Sequence, residues 1–223
     1  MISAIILAGG KGTRMGRDIS KQFILVKEKP ILYYTIKKFI ECDKIDNIIL
    51  VLPKDEIEFC KREVLDKYSL KVDKIVEGGF ERQESVYNGL MNCEDTDIVL
   101  IHDGARPFVS DRIIEEGIEY AKNYGAAAPG VKPKDTIKVI GEERFSKETL
   151  DRDTLVAIQT PQVFDFNIIK KCHERVKENN IPVTDDTMVA ECFGNKVYIY
   201  EGEYNNIKIT TPEDLIIAEY LCK

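Results

Sequence analysis

Apolar positions along the chain follow two rhythms. Unbroken runs recur at Ala4–Ala8, Asn47–Leu52, Val72–Val76 and Asp97–His102, the pattern of strands buried on both faces. Between the runs the apolar spacing lengthens to three and four. Leu32, Ile36 and Phe39 follow Pro30; Ile57, Cys60 and Val64 come next, and then Val86 and Leu90. Each set marks one face of a helix, and Pro30 suits a helix start. Pro53 stops the second strand, and Gly78-Gly79 makes a turn after the third. Short strands alternating with helices predict an α/β fold with a mostly parallel sheet covered on both faces. Such sheets bind ligands beyond the carboxyl ends of their strands, where strand order reverses. Two polar clusters fall at those ends: Gly9–Lys21 after the first strand and Asp103–Phe108 after the fourth.

The rhythm breaks over Lys132–Leu155. Thr136–Ile140 alternates like a half-exposed strand, Gly141-Glu142-Glu143 can turn, and a second extended stretch follows. This predicts a projecting β-hairpin arm at about 133–156. A hairpin with so little core of its own is marginal alone and calls for something to pack on, such as a second subunit. Beyond it, Ile169, Cys172 and Val176 mark a helix face, Lys196–Tyr200 a strand, and Pro212 the start of a last helix. With 223 residues and no linker or repeat, a single domain over 1–223 carrying the arm is expected.

Composition narrows the function by exclusion. No apolar run approaches the roughly 20 residues that cross a bilayer, and no basic stretch precedes the apolar N-terminus, as a signal peptide requires. Six scattered cysteines without metal-ligand spacing then read as reduced thiols of a soluble, cytoplasmic chain. Only His102 and His173 are histidines, which disfavours a His-rich zinc site; both are read as structural. A net charge of −7 argues against nucleic-acid binding. It leaves room for an anionic small molecule at a local basic cluster.

That cluster lies in Leu7-Ala8-Gly9-Gly10-Lys11-Gly12-Thr13-Arg14-Met15-Gly16, with Arg17 and Lys21 beyond it. Glycines let backbone N–H groups approach a ligand closely, and the cations supply charge for a polyphosphate. A dinucleotide fingerprint starting at Gly10 and Gly12 would need glycine where Met15 stands, and no P-loop pattern occurs. The bland alternative is a tight turn with solvated charges.

This loop with Lys21 resembles the signature of nucleotidyltransferases that activate sugars and polyols. Four more blocks follow in order: Gly79-x-x-Arg82-x-x-Ser85-Val86, Asp103-Gly104-Ala105-Arg106-Pro107, Gln159-Thr160-Pro161-Gln162 and Asn206-Ile207-Lys208-Ile209-Thr210. Together they resemble the 2-C-methyl-D-erythritol 4-phosphate cytidylyltransferase family of the non-mevalonate isoprenoid pathway. The resemblance implies a Rossmann-like nucleotidyltransferase fold, CTP and methylerythritol phosphate as substrates, pyrophosphate release, and a divalent cation such as magnesium.

It also implies residue roles. Arg14, Lys21, Arg152 and Lys208 would be catalytic, with Arg14 and Lys21 stabilising charge on the reacting phosphates. Ala8, Gly9, Gly10, Gly12, Gly79, Arg82, Ser85, Asp103 and Gly104 would bind the nucleotide, with Gly79, Arg82 and Ser85 reading base and ribose. Arg106, Thr136, Arg152, Thr160 and Lys208 would grip the polyol phosphate. In the family the arm crosses to a partner subunit, which implies a homodimer. Several readings stay open. Asp103 is a metal ligand or a turn-forming cap, Arg82 a base reader or a helix-start charge, and Arg106 a substrate ligand or a brace for its own turn. Thr184-Asp185-Asp186 matches the family and reads as a helix N-cap with a first-turn acid.

The nearest rival is a ribitol 5-phosphate cytidylyltransferase. Gly9, where the isoprenoid enzymes often carry alanine, leans that way; Asp103–Pro107 and Thr149-Leu150-Asp151-Arg152 lean back. A non-catalytic nucleotide-binding regulator is the rival from another class. It would be favoured by loss of Arg14, Lys21 or Lys208, and all three are present.

Overall fold

The computed structural model describes residues 1–9 and 20–222. In chain order the elements begin with β1 (Ile2–Leu7), a small hairpin of β2 (Leu25–Val26) and β3 (Lys29–Pro30), α1 (Ile31–Ile40) and β4 (Asn47–Leu52). Next come α2 (Ile57–Cys60), continued by a wider π turn over Lys61–Asp66, then β5 (Lys74–Glu77), α3 (Arg82–Met91) and β6 (Ile98–Asp103). The second half holds α4 (Asp111–Tyr124), β7 (Ala126–Val131), β8 (Lys138–Ile140), β9 (Ser146–Thr149) and β10 (Ala157–Ile158). It ends with β11 (Gln162–Asp165), α5 (Phe166–Asn179), α6 (Asp186–Glu191), β12 (Tyr198–Glu201) and α7 (Pro212–Leu221).

The central sheet runs β10-β7-β11-β6-β1-β4-β5, with β12 paired to β7. Pairings β6–β1, β1–β4, β4–β5 and β12–β7 are parallel. The expected parallel order breaks at β11, which lies antiparallel between β6 and β7, and at β10, antiparallel to β7. Neither β7 nor β11 is announced by apolar runs. Ala126-Ala127-Ala128-Pro129-Gly130 lacks branched side chains and contains two turn formers, whereas tertiary packing decides strand propensity here.

Alternation along the strands explains the two-sided core. Ala4, Ile6, Leu50, Leu52 and Leu100 pack with Leu32, Ile36 and Phe39 of α1 and Ile113 of α4. Ile5, Ile49, Val51, Val99 and Ile101 face the other way, onto Val86 and Leu90 of α3 and Ile169, Cys172 and Val176 of α5. A strand apolar on both faces reads as an unbroken run because each face is covered. α4 starts at Ser110, whose hydroxyl accepts the Ile113 N–H, and ends at Gly125 in the left-handed conformation.

β8 and β9 form a separate antiparallel pair, so the arm is present, its first strand starting two residues later than expected and ending at Ile140 as expected. Its Ile140 and Phe145 are 66% and 72% exposed and add nothing to the core of their own chain. Among the described residues, no helix is long and apolar enough to cross a membrane, and the six cysteines form no disulfide.

Candidate active site

β1 and β6 are parallel neighbours with Leu7 opposite Asp103, so the chain leaves both strands at one point. The Gly104 N–H donates to Leu7 O at 2.8 Å and the Ala8 N–H to Val51 O at 2.9 Å. A cleft of about 270 Å³ opens above them, lined by Leu7, Ala8, Gly9, Lys21, Gln22, Gly79, Phe80, Glu81, Arg82, Ser85, Asp103, Ala105 and Lys208. Three of the later sequence blocks, through Gly79, Arg82 and Ser85, Asp103 and Ala105, and Lys208, thus meet the first strand there. Gly10, Gly12 and Arg14 lie outside the described residues.

Asp103 sits on the cleft floor with its side chain 12% exposed. Lys208 Nζ lies 2.8 Å from its Oδ2, Arg106 Nε 3.8 Å from the same oxygen, and Arg82 Nε 3.7 Å from Oδ1. Burial alone would raise the carboxyl pKa; Lys208, then Arg82 and Arg106, override it and hold Asp103 well below the ordinary carboxylate range. Asp103 thus stands among three cations, one of which, Arg82, it shares with Asp186.

Lys208 reaches this point because its segment is tied down on three sides. The Ile209 N–H donates to Ala105 O at 2.9 Å. Asn206 is fully buried, and its Nδ2 donates to Thr160 O at 2.9 Å. Arg106 Nη1 donates to Asn206 O at 2.7 Å. Arg106 therefore ties its own turn to the Asn206 segment, and it does not line the cleft. Burial pulls its pKa down, with Asp103 opposing.

The Thr160 hydroxyl, buried beneath the floor, accepts the Asp103 N–H at 3.1 Å and lies 3.1 Å from His102 Nδ1. His102 Nε2 is 3.0 Å from the Arg106 carbonyl, which only accepts, so Nε2 carries the proton and Nδ1 accepts from Thr160. Burial lowers the His102 pKa to about 4, so the ring is neutral at neutral pH. The side chain of Thr160 thus supports the floor; its hydroxyl is committed to these two partners.

At two glycines a side chain would crowd its neighbours, severely at Gly79 and tightly at Gly104. A Cβ on Gly79 would fall 2.3 Å from Glu84 Cβ, and one on Gly104 would fall 3.0 Å from Leu7 O and 3.3 Å from Ala8 Cβ. Gly104 is thus a packing glycine between two strand ends, outside the cleft lining. Gly79 belongs to the turn before α3. There its N–H donates to Ser85 Oγ at 3.1 Å, and Glu81 and Glu84 cap the helix reciprocally.

Arg82 begins α3 and bridges two carboxylates, with Nη2 2.7 Å from Asp186 Oδ2. Burial works against its charge, but Asp186 and then Asp103 raise its pKa beyond the ordinary arginine value. Asp186 in turn lies 3.2 Å from His173 Nε2, which gives that histidine a structural place. Asp185 caps α6 through the Met188 N–H at 3.0 Å, as Thr184-Asp185-Asp186 predicts. Asp186 does more than begin that helix. Its grip on Arg82, 104 residues away in sequence, has no signature in either stretch alone.

Thr136 and Arg152 lie on the exposed arm, where Arg152 Nη1 donates to Lys134 O at 2.9 Å. Neither lines the cleft of its own chain.

The chain has relatives in both sequence and fold. The family model for IspD, 2-C-methyl-D-erythritol 4-phosphate cytidylyltransferase, matches residues 2–223. A protein of that name from Clostridium beijerinckii is 66% identical over 223 residues, covering 100% of this chain and 99% of the relative. Another from Clostridium botulinum is 63% identical over 221 residues, covering 99% of each. Among solved structures, 4-diphosphocytidyl-2C-methyl-D-erythritol synthase from Anaerococcus prevotii superposes with a TM-score of 0.87 at 37% identity, covering 100% of this chain and 96% of that one. The chain is a member of the 2-C-methyl-D-erythritol 4-phosphate cytidylyltransferase family, and so a nucleotidyltransferase.

Proposed function

We propose that the chain transfers the cytidylyl group of CTP to 2-C-methyl-D-erythritol 4-phosphate, releasing pyrophosphate, in the non-mevalonate isoprenoid pathway. A phosphate oxygen of the acceptor attacks the α-phosphorus of CTP. The new P–O bond forms as the bond to the β-phosphate bridging oxygen breaks. The acceptor phosphate is largely dianionic at neutral pH, its second pKa being about 6, so it needs no general base. What the reaction needs is charge held in place. The observation that carries the reading is the group of Lys208, Arg82 and Arg106 around Asp103 at the mouth of β1 and β6, with Lys21 on the cleft wall.

In this reading Ala8 and Gly9 flank the triphosphate, as do Gly10 and Gly12, and Arg14 and Lys21 neutralise the reacting phosphates. The Gly79–Ser85 turn meets the cytosine, where hydrogen bonds discriminate bases most strongly. Lys208, Arg106, Thr160, Thr136 and Arg152 form the acceptor side, Arg106 and Thr160 through the floor they support. Asp103 is the buried carboxylate of the lining, and a magnesium ion commonly takes one carboxylate with the remaining ligands from phosphate and water. Asp103 would hold such an ion together with triphosphate oxygens, in competition with Lys208 at 2.8 Å. The ion would neutralise phosphate charge.

Thr136 and Arg152 do not line their own cleft, and Ile140, Phe145 and Val156 of the same arm are exposed. A homodimer in which each arm completes the partner's acceptor site accounts for both features. The chain then works as one nucleotidyltransferase domain, 1–223, with an arm at about 133–156. The unpaired cysteines suit the cytoplasm.

Pyrophosphate release from CTP, measured with methylerythritol phosphate and with ribitol 5-phosphate, tests the reading. Release with the first and little with the second is expected. A preference for ribitol 5-phosphate would overturn the acceptor, and no release with either would overturn the reaction.

A further inference from the structure

One carboxylate outside the cleft lining holds both neighbours of Lys21. Glu56 stands on the short turn Lys54–Glu56 after β4, far from Lys21 in sequence. Its Oε1 accepts the Ser20 hydroxyl in a short hydrogen bond. Its Oε2 accepts Gln22 Nε2 at 2.6 Å. The same Gln22 amide donates to Ala8 O at 2.7 Å, and Gln22 is 1% exposed. Residues 20 and 22 are thus clamped to one side chain, and the clamp extends to the end of β1.

We propose that Glu56 is a positioning residue for the transfer reaction, holding the backbone of Lys21 at the cleft wall through Ser20 and Gln22. This rests on the reading of Lys21 as the cation that stabilises the reacting phosphates. A lysine ends in a mobile point charge on four methylenes. Fixing its Cα limits where that charge can sit, and misplacement of a catalytic group by about 1 Å costs on the order of 100-fold in rate. The two carboxylate oxygens each serve one flank, a division that a single-acceptor side chain cannot reproduce. Gln22 is well placed to pass the constraint on, because burial prevents its amide from trading Glu56 for water.

The test is a double-mutant cycle with steady-state kinetics and thermal denaturation on each protein. Glu56→Ala is expected to lower kcat by about 10-fold or more, with KM for CTP changed less than about threefold. Glu56→Gln keeps one acceptor oxygen and should fall between Glu56→Ala and native; it also serves if the alanine variant fails to fold. In a Lys21→Ala background, Glu56→Ala should lower kcat by less than about threefold, since the group it positions is gone. Unchanged kcat in both Glu56 variants, or full multiplicative losses in the double mutant, would overturn the inference while leaving Lys21 its role. An unchanged kcat in Lys21→Ala alone would remove that role, and the inference with it.

Discussion

Lys208 Nζ lies 2.8 Å from Asp103 Oδ2, and Arg82 and Arg106 approach the same carboxylate at 3.7 and 3.8 Å. One anion therefore holds together cations that would otherwise repel one another in a part-buried floor. Asp103→Asn removes the anion and keeps the shape. It should cost about 2–4 kcal/mol, less than the roughly 3–5 kcal/mol of a fully buried pair because Lys208 is 39% exposed, and lower Tm by about 5–15 °C. CTP brings negative charge back to the floor and should raise the variant's Tm more than it raises the native protein's. Thermal denaturation with and without CTP measures both; a native Tm in the variant would contradict the cluster's role.

Stability should fall with pH in two stages. The folded pKa of His102 is about 4, below the ordinary value of about 6.5, so the unfolded chain takes up this proton first. Its contribution is complete above pH about 6.5 and is lost between there and about 4, on the order of 3 kcal/mol. Asp103 and Asp186 have folded pKa values below the ordinary carboxylate range, so their contribution is lost only below pH about 4. Urea unfolding at several pH values should show the upper stage shrink in His102→Gln. A variant with the native slope between pH 6.5 and 4 would exclude His102 as its source.

Thr160→Val keeps the volume and deletes the hydroxyl. The Asp103 N–H then loses its buried acceptor and His102 Nδ1 loses its donor, a loss of about 1–3 kcal/mol. Because Thr160 carries the floor rather than the acceptor, kcat and stability should fall together, with KM for methylerythritol phosphate little changed. A large rise in that KM alone would instead put the hydroxyl on the substrate.

Arg152→Ala should raise KM for methylerythritol phosphate at least 10-fold and leave Tm within about 1 °C, since an exposed arm residue adds little to the core. If the arm acts in the partner's site, mixing Arg152→Ala with Lys21→Ala subunits should recover part of the lost activity. Mixed dimers would contain one site with both residues intact. No recovery after confirmed subunit exchange would place Arg152 in its own chain's site.

Much of this was legible in the sequence because the signals are local. Asn47–Leu52 is a strand as expected, since unbroken apolar runs need only cover on both sides. The third strand begins at Lys74, not Val72, and the later one at Tyr198, not Lys196; ends fray where hydrogen bonding, not hydrophobicity, sets the boundary. β11 escaped because its place between β6 and β7 depends on long-range pairing. In the cleft, Lys21, Gly79, Arg82, Ser85, Asp103 and Lys208 converge as their blocks imply. Glu56 and Asp186 were invisible as site supports. Each acts on a residue more than 30 positions away, and a lone acidic residue in a turn carries no mark of what it will touch.

The His102–Thr160 contact has a consequence for proton chemistry. Its two ends are a backbone N–H at Asp103 and a backbone carbonyl at Arg106, neither of which can change its sense. With the ring neutral, every proton between them is therefore assigned, and the line has one polarity. Such a line can stiffen a floor but cannot relay a proton. The one histidine beneath the cleft is locked out of acid–base work, in a reaction whose nucleophile arrives already ionised.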